Sequence, residues 1–592
     1  MKLSDYVIEY LENYGIKDAF LLSGGGMMHL LDAVGRSKIN CYFNLNEQAT
    51  TICADAYAQY TKELSLAMLT TGPGATNGVT GLVSAFQDST PMLVLSGQVK
   101  TSNLAPAGVR AYGAQEVNIV DMVKNQTKYA VCVTDATTIK YHLEKAIYLA
   151  THGRKGPVWI DIPLDIQATQ IEETNLKGFD VKELEGENIR ESGIISDCVT
   201  ADELNTIKLI ADALMTAKQP VILYGRGTVD SCSEDIARTL THEYGIPALS
   251  TWRAKEIFLH EDDMYFDMPG SQAPRYSNYI LCRADVVLII GSRLDWSLTA
   301  FDEENYCPKA RKFIVDIDDY EINKLSIDFE DTLHMDANVF LQKLKKELHP
   351  VDYGEWINKC REWKAKYPIE TIRPNVESDG VWGYDFTEAL NRLSKDNDVY
   401  AVSPTGRVCL PMNIGIALKG EQRMVAPRGL GSMGYALPTA IGACVASGMR
   451  RIICFEGDGS LNHNIQELQV MVTYNLPIKL FIYTNGGYAS IYGMQNNHFQ
   501  GRLTGCNQES GVTLPSVKKI AEAYGIPYVL MKDKNDLETV MERVLVDDKL
   551  MICEVMGDIR FEEIPCTKTR INKDGSLSSS SMEDLYPFLE DM

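Results

Sequence analysis

Two short runs of this chain carry oxygen ligands at a spacing that suits a bound cation. Phe455-Glu456-Gly457-Asp458-Gly459-Ser460 closes one apolar run, and a second, Ile478-Lys-Leu-Phe-Ile-Tyr-Thr484, ends at Asn485. Room for one helix and one strand separates Asp458 from Asn485, so in a β-α-β unit both side chains emerge at one edge of a parallel sheet. That edge is where such sheets take ligands. Mg²⁺ prefers hard oxygen ligands and uses one or two carboxylates, with water and phosphate oxygens completing the octahedron. Asp458, the Asn485 amide oxygen and the Gly487 carbonyl meet that need beside a diphosphate. Gly457 and Gly459 would let the backbone turn tightly and approach a phosphate, and a helix expected from about Leu461 to Tyr474 would offer free N–H groups to the anion. A Gly-Asp-Gly tripeptide by itself is more often an ordinary turn; the second strand, ending in Asn, changes the odds.

Three clusters of apolar strands must position these groups. The first includes Leu66-Ala-Met-Leu69, Pro91-Met-Leu-Val-Leu95 and Val158-Trp-Ile-Asp-Ile162; the second, Val221-Ile-Leu-Tyr224, Ala284-Asp-Val-Val-Leu-Ile-Ile290 and Phe313-Ile-Val315; the third runs from Val399 to about Met556. Short continuous β-branched runs that alternate with longer helical patterns indicate parallel sheets covered on both faces. The expectation is an α/β chain of three doubly wound domains at 1–180, 201–350 and 381–565. A charged linker (181–200, with Lys182-Glu-Leu-Glu-Gly-Glu-Asn), linker helices (351–380) and a flexible or lid-like tail (566–592, with Leu577-Ser-Ser-Ser-Ser-Met582) complete it.

Composition narrows the function. A net charge of −23 argues against nucleic acid or an anionic membrane as partner, because both call for basic patches. No apolar run approaches a membrane span, and the first residues read as an amphipathic helix rather than a signal peptide. The 14 cysteines include no Cys-x-x-Cys pair, the pattern of reduced thiols in a cytoplasmic protein.

At the metal-site motif the chain resembles the thiamine-diphosphate enzymes of the acetolactate-synthase-like branch, whose signature is Gly-Asp-Gly, some two dozen residues, then Asn-Asn. Here Thr484 replaces the first Asn, and the ligand Asn485 is kept. Four further motifs follow the family order: Asn44-Leu-Asn-Glu47 resembles the catalytic glutamate segment, Thr71-Gly-Pro73-Gly-Ala-Thr-Asn77 the cofactor loop, Gly156-Pro-Val-Trp-Ile-Asp-Ile-Pro163 the last strand of the first domain, and Gly429-Leu-Gly431-Ser-Met433-Gly the loop that holds the aminopyrimidine. The resemblance implies pyrimidine-binding, central and diphosphate-binding domains, thiamine diphosphate with Mg²⁺, and a homodimer or homotetramer. It gives Glu47 the proton at the pyrimidine N1′, Gly431 a carbonyl toward the 4′-amino group, Met433 the apolar prop under the bent cofactor, and Gly459, Ser460, Gly406 and Arg407 the diphosphate. Arg407 stands where the family often has Gln.

On the substrate side, Ser23-Gly24-Gly25-Gly26-Met-Met-His29 is similar to the glycine turn over the reacting carbon, where Gly25 or Gly26 N–H groups would steady an alkoxide, and Gly113-Ala-Gln115-Glu116 to the loop whose Gln reaches the bound intermediate. His29 is tempting as an acid, although lone histidines are more often structural. Gly225-Arg-Gly227 is a weak dinucleotide signal because it lacks a third glycine. Gly270-Ser-Gln-Ala-Pro-Arg275-Tyr-Ser-Asn278 faintly echoes the family's FAD segment, so FAD is a possible further cofactor. Acetolactate synthases carry a Trp shortly after the metal-site Asn; Gly487-Tyr-Ala-Ser-Ile-Tyr492-Gly-Met494-Gln-Asn-Asn-His-Phe499 has none. That points to a different acceptor, and Ser23–His29, Asn485-Gly-Gly-Tyr-Ala-Ser-Ile491 and Glu509-Ser-Gly-Val512 together resemble the members associated with bacterial surface-polysaccharide sugars, which implies decarboxylation of a 2-oxo acid, pyruvate first among them, and transfer of the two-carbon unit to a carbonyl acceptor such as a nucleotide-linked keto-sugar. Acetolactate synthesis proper, release of a free aldehyde, and a non-catalytic binding protein are the alternatives. The last should have lost Glu47 or Asp458, and an aldehyde-releasing enzyme often shows an adjacent His pair that this chain lacks.

Overall fold

The computed structural model describes residues 1–184, 199–571, 574 and 576–589; most of the expected charged linker lies outside them. Three parallel sheets succeed one another. The first contains β1 (Asp18–Leu21), β2 (Asn40–Phe43), β3 (Ser65–Leu69), β4 (Met92–Gln98), β5 (Tyr129–Cys132) and β6 (Val158–Pro163) in the order β2-β1-β3-β4-β6-β5. The second contains β7 (Pro220–Tyr224), β8 (Ala248–Ser250), β9 (Val286–Ile290), β10 (Arg311–Asp316) and β11 (Asp331–His334) in the order β11-β10-β9-β7-β8. The third contains β12 (Val399–Val402), β13 (Arg423–Val425), β14 (Ile452–Gly457), β15 (Ile478–Thr484), β16 (Tyr528–Met531) and β17 (Met551–Met556) in the order β13-β12-β14-β15-β17-β16.

Strands β3, β4, β6, β7 and β9 are buried along their whole length, which is why their sequences are apolar runs without alternation. The first and third sheets share one strand order, and each sheet has a central order reversal: between β1 and β3, between β7 and β9, and between β12 and β14. The loops leaving those strand pairs diverge to opposite faces and open a crevice. Those loops carry Ser23–Gly26 and Thr70–Asn77 in the first domain, Gly225–Gly227 and Gly291–Arg293 in the second, and Thr405–Arg407 and Asp458–Ser460 in the third.

The first and third domains pack through the Glu47–Thr61 and Ala436–Ala446 helices. Gly442 makes this crossing close: a Cβ there would stand 2.2 Å from the Cys53 carbonyl oxygen. The helix Gly354–Lys366, expected in a linker, belongs to the middle core, with Trp356 Nε1 donating to the Pro220 carbonyl at 3.0 Å. The C-terminal segment, expected to be flexible or lid-like, is packed on the middle domain in its described residues. Strands β18 (Thr569–Ile571) and β19 (Leu577–Ser579) form an antiparallel hairpin, Thr567 N donates to Ser271 O at 2.7 Å, and Leu585 is fully buried. Among the described residues no helix is long and apolar enough to cross a membrane, and the described cysteines are unpaired thiols.

Candidate functional site

In the first domain the expected residues converge on the crevice beside β1 and β3. Glu47 opens the Glu47–Thr61 helix, capped by Asn46, whose side chain accepts from Gln48 N. Its Oε2 accepts from Asn77 Nδ2 at 3.1 Å, and its Oε1 lies 3.3 Å from where a Cβ on Gly74 would stand, so the Pro73–Asn77 turn and the glutamate form one unit. A Cβ on Gly26 would fall 1.7 Å from Thr71 Oγ1, and one on Gly72 would fall 2.3 Å from the Gln115 carbonyl. The glycine turn, the cofactor-type loop and the Gln115 loop are thus pressed together. Gly25 is exposed and has open space at its Cβ position; Gln115 is exposed at φ +65°. His29, in the first turn of the Met28–Arg36 helix, is partly exposed.

In the third domain Asp458 and Asn485 leave neighbouring parallel strands, β14 and β15, and face each other. Asp458 Oδ2 accepts from Asn485 N at 3.1 Å and Gly486 N at 3.2 Å, and its Oδ1 accepts from Gly459 N at 2.8 Å. Burial pushes this carboxyl up to about 6 against the pull of those three N–H groups; it is 5% exposed. Gly487 N donates to Asn485 Oδ1 at 3.3 Å, which holds the amide in the same loop. One carboxylate, one amide oxygen and one main-chain carbonyl make an all-oxygen donor set suited to Mg²⁺ rather than to a softer metal. Ser460 Oγ accepts from Gly434 N at 2.7 Å, tying the Gly429–Met433 loop to the metal-site turn. Gly406 adopts φ +82°, and Arg407, beside it, donates to Ala489 O at 3.1 Å while its buried Nε has no partner among the described residues.

Two expectations need correction. No single helix spans 461–474: a short helix, Asp458–Leu461, begins at the aspartate, and Glu467–Thr473 follows after a break. The break frees Asn464, whose Nδ2 donates to Gly434 O at 2.7 Å and Gln48 Oε1 at 3.4 Å, bridging the Met433 loop to the residue after Glu47. Neither Gly457 nor Gly459 adopts a left-handed turn; Gly459 is required because a Cβ would meet the Tyr488 ring at 2.5 Å. The segment Gly270–Asn278, singled out for FAD, is held within the chain: Asn278 binds Gly270 and the Met582 carbonyl, and Arg275 binds the Leu585 and Pro587 carbonyls. A cavity of about 610 Å³ opens at the middle sheet's order reversal, lined by Arg226, Gly227, Gly291, Arg293 and Asp316 among others and reaching Pro269, next to that segment. Gly225 and Gly227 are needed there because a Cβ on either would strike Gly291, at 2.1 and 2.8 Å.

Three buried carboxylates around the site carry no local signal in the sequence. Glu456 accepts from Ala436 N and Gly457 N, and burial raises it. Glu467 accepts from Asn44 Nδ2 at 2.9 Å and Leu45 N at 3.0 Å, gripping the segment just before Glu47. Asp88 holds the start of the Gly429–Met433 loop.

Comparison with known proteins accounts for this arrangement. Residues 1–122 match the thiamine pyrophosphate enzyme N-terminal TPP binding domain, residues 207–344 its central domain, and residues 405–555 its C-terminal TPP binding domain. The acetolactate synthase large subunit of Buchnera aphidicola subsp. Acyrthosiphon pisum is 30% identical over 527 residues, covering 88% of each chain. The chain belongs to the thiamine pyrophosphate enzyme family. The acetolactate synthase large subunit of Cyanidium caldarium is 29% identical over 554 residues (91% of this chain, 90% of that one), and the acetolactate synthase isozyme 3 large subunit of Escherichia coli 28% over 574 (94% of each). The three domains of this thiamine-diphosphate enzyme are therefore those of the acetolactate-synthase type, and the crevices described above lie within the matched segments.

Proposed function

We propose that this enzyme decarboxylates a 2-oxo acid, pyruvate first among them, and transfers the two-carbon unit to a carbonyl acceptor, a nucleotide-linked keto-sugar or related sugar-derived compound. The observation that carries the carboligase reading is the pairing of Glu47 with Asn77 in one crevice and of Asp458 with Asn485 in the other. Thiamine diphosphate, when bound, would supply the carbon nucleophile that adds to the keto carbon and the electron sink that lets CO₂ leave. Glu47 would exchange a proton with the pyrimidine N1′, Gly431 and Met433 would seat the ring, and Pro73 and Asn77 would close the loop over it. Asp458, Asn485 and the Gly487 carbonyl would hold Mg²⁺, and Gly457, Gly459, Ser460, Gly406 and Arg407 would line the diphosphate. Gly25 and Gly26 N–H groups would steady the alkoxide, and Gln115 would reach the coenzyme-bound substrate.

The acceptor reading draws support from the Ala489–Phe499 helix, which has no Trp, and from a cavity of about 430 Å³ between that helix, the middle domain and the C-terminal segment. Its walls include Ser271, Ser297 and Ser490 with Arg407, Arg428 and Lys568, the first and last of these cations facing Glu563 and Glu562, and such a mixed polar lining suits a hydroxyl-rich acceptor better than a second small 2-oxo acid. Acetolactate synthesis is the second reading, favoured by the named relatives. The middle-domain cavity is where a flavin or another nucleotide would bind. A homodimer or homotetramer is the expected working unit, with the coenzyme between the first domain of one subunit and the third of another. The deciding experiment incubates the protein with thiamine diphosphate, Mg²⁺ and a panel of 2-oxo acids, with and without keto-sugars, following CO₂ and product mass, with a chelator control. Product that needs the sugar supports the proposal. Rapid acetolactate formation from pyruvate alone supports the second reading, and free aldehyde refutes carboligation.

A further inference from the structure

The loop that carries Gly431 and Met433 has few anchors of its own. Gly431 and Gly434 both take left-handed conformations, at φ +66° and +76°, so successive residues cannot settle into a helix or strand. Its far end is tied by the Gly434 N–Ser460 Oγ bond. Its near end is tied by a residue of another domain. Asp88 ends the Val79–Gln87 helix of the first domain and is 3% exposed. Its Oδ2 accepts from Arg428 N at 3.0 Å and its Oδ1 from Gly429 N at 3.0 Å. A Cβ on Gly429 would stand 2.7 Å from Gln87 Cβ and 2.9 Å from Asp88 Oδ1, so the loop lies directly on the helix end. From the middle domain Arg253 Nη1 donates to the Asp88 carbonyl at 2.9 Å and comes within 3.2 Å of its Oδ1, and both residues line the 610 Å³ cavity.

We propose that Asp88 is a positioning residue for the cofactor loop: by holding the first two N–H groups of the segment 428–434 it sets where Gly431 and Met433 stand, and through Arg253 it ties that placement to the middle domain. Charge-assisted bonds to main-chain N–H groups are among the stronger ones available; the Arg428 side chain adds a second hold at the near end, with Nη1 donating to the Pro404 carbonyl at 3.3 Å and the guanidinium 4.1 Å over the Trp252 ring. A loop released at this end must be ordered when the coenzyme binds, so the loss falls on coenzyme affinity more than on turnover at saturation.

The inference rests on the proposed role of the loop, and its test separates the two. Asp88→Asn keeps one acceptor oxygen and Asp88→Ala keeps none. Calorimetric titration with thiamine diphosphate and Mg²⁺ should show affinity at least tenfold weaker in the alanine variant and severalfold weaker in the asparagine variant, with turnover at saturating coenzyme closer to wild type. Hydrogen exchange of residues 428–434 in the coenzyme-free protein should quicken in both, and thermal melting reports whether each variant folds. If Asp88→Ala does not fold, Asp88→Asn decides by the same measurements. Wild-type affinity together with unchanged exchange in a folded variant overturns the proposal. Failure of the wild type to bind thiamine diphosphate overturns the proposed function instead, and the exchange measurement still tests the anchoring.

Discussion

Replacing Glu47 by Gln separates the chemistry of this carboxyl from its packing. The substitution keeps the length of the side chain, and length matters here because Oε1 is pressed toward Gly74 and Oε2 accepts from Asn77. A glutamine amide oxygen can accept the same Asn77 bond. What is lost locally is a negative charge in the first turn of the Glu47–Thr61 helix, about 0.3–1 kcal/mol of stability. A positioned proton-exchanging group contributes about 10²–10⁴ in rate, roughly 3–5 kcal/mol of barrier at about 1.4 kcal/mol per tenfold. The barrier change is several times the stability change, so the two are readily distinguished. Turnover measured as CO₂ release from pyruvate at saturating coenzyme and Mg²⁺ should therefore fall at least about a hundredfold. Coenzyme affinity should stay within about fivefold, equivalent to about 1 kcal/mol. Turnover within about threefold of wild type, with the coenzyme bound, refutes the assignment of Glu47.

Two further outcomes follow from buried charges in the third domain. Arg451 and Asp398 form a bidentate pair, 2.8 and 2.7 Å, with side chains 3% and 0% exposed; Arg451→Met strands the carboxylate and should cost about 3–5 kcal/mol in a denaturant titration, part of which Asp398→Asn in the same chain restores. Burial pushes the Glu467 carboxyl from 4.5 up to about 7; the unfolded chain releases that proton first, so stability falls as pH rises between those values and levels off above them, by on the order of 3 kcal/mol. Urea titrations from pH 4.5 to 8 should show Glu467→Gln gaining on the wild type as pH rises, and a pH-independent difference between the two contradicts this.

Much of the site was legible because each motif is local. A strand, a turn and a ligand sit within a dozen residues of one another, so Asp458 and Asn485 could be placed at one sheet edge from their β-α-β context, and the structure brings them into hydrogen-bonding contact through the Asn485 N–H. The continuous helix expected over 461–474 failed for a reason no local pattern holds. Asn464 breaks it to reach Gly434 and Gln48, and the latter partner lies 416 positions away. The contacts that hold the Gly270–Asn278 segment are equally non-local, since Asn278 finds a partner in Met582, 304 positions on. Asp88 and Glu467 were invisible because their partners stand 340 and 422 positions distant.

These failures share a cause that bears on how the enzyme works. The ligands of each crevice come from loops at the order reversal of one sheet, which sequence can locate. Their relative placement comes from carboxylates and amides that cross between sheets, which sequence cannot. Glu467 of the third domain fixes the segment leading to Glu47 of the first, and Asp88 of the first fixes the loop leading to Met433 of the third. The dependence is reciprocal, so a displacement of either domain disturbs the segment before Glu47 and the loop before Met433 at once. Each contact uses a buried acid whose acceptor oxygens are taken by main-chain N–H or amide groups, and such contacts have two states, made or broken, rather than a graded range. The domains are therefore held in one working arrangement by a few directional bonds laid over an apolar helix crossing that is itself non-directional. Substitutions at the crossing should act chiefly on stability, and substitutions at these acids on the placement of groups around the coenzyme.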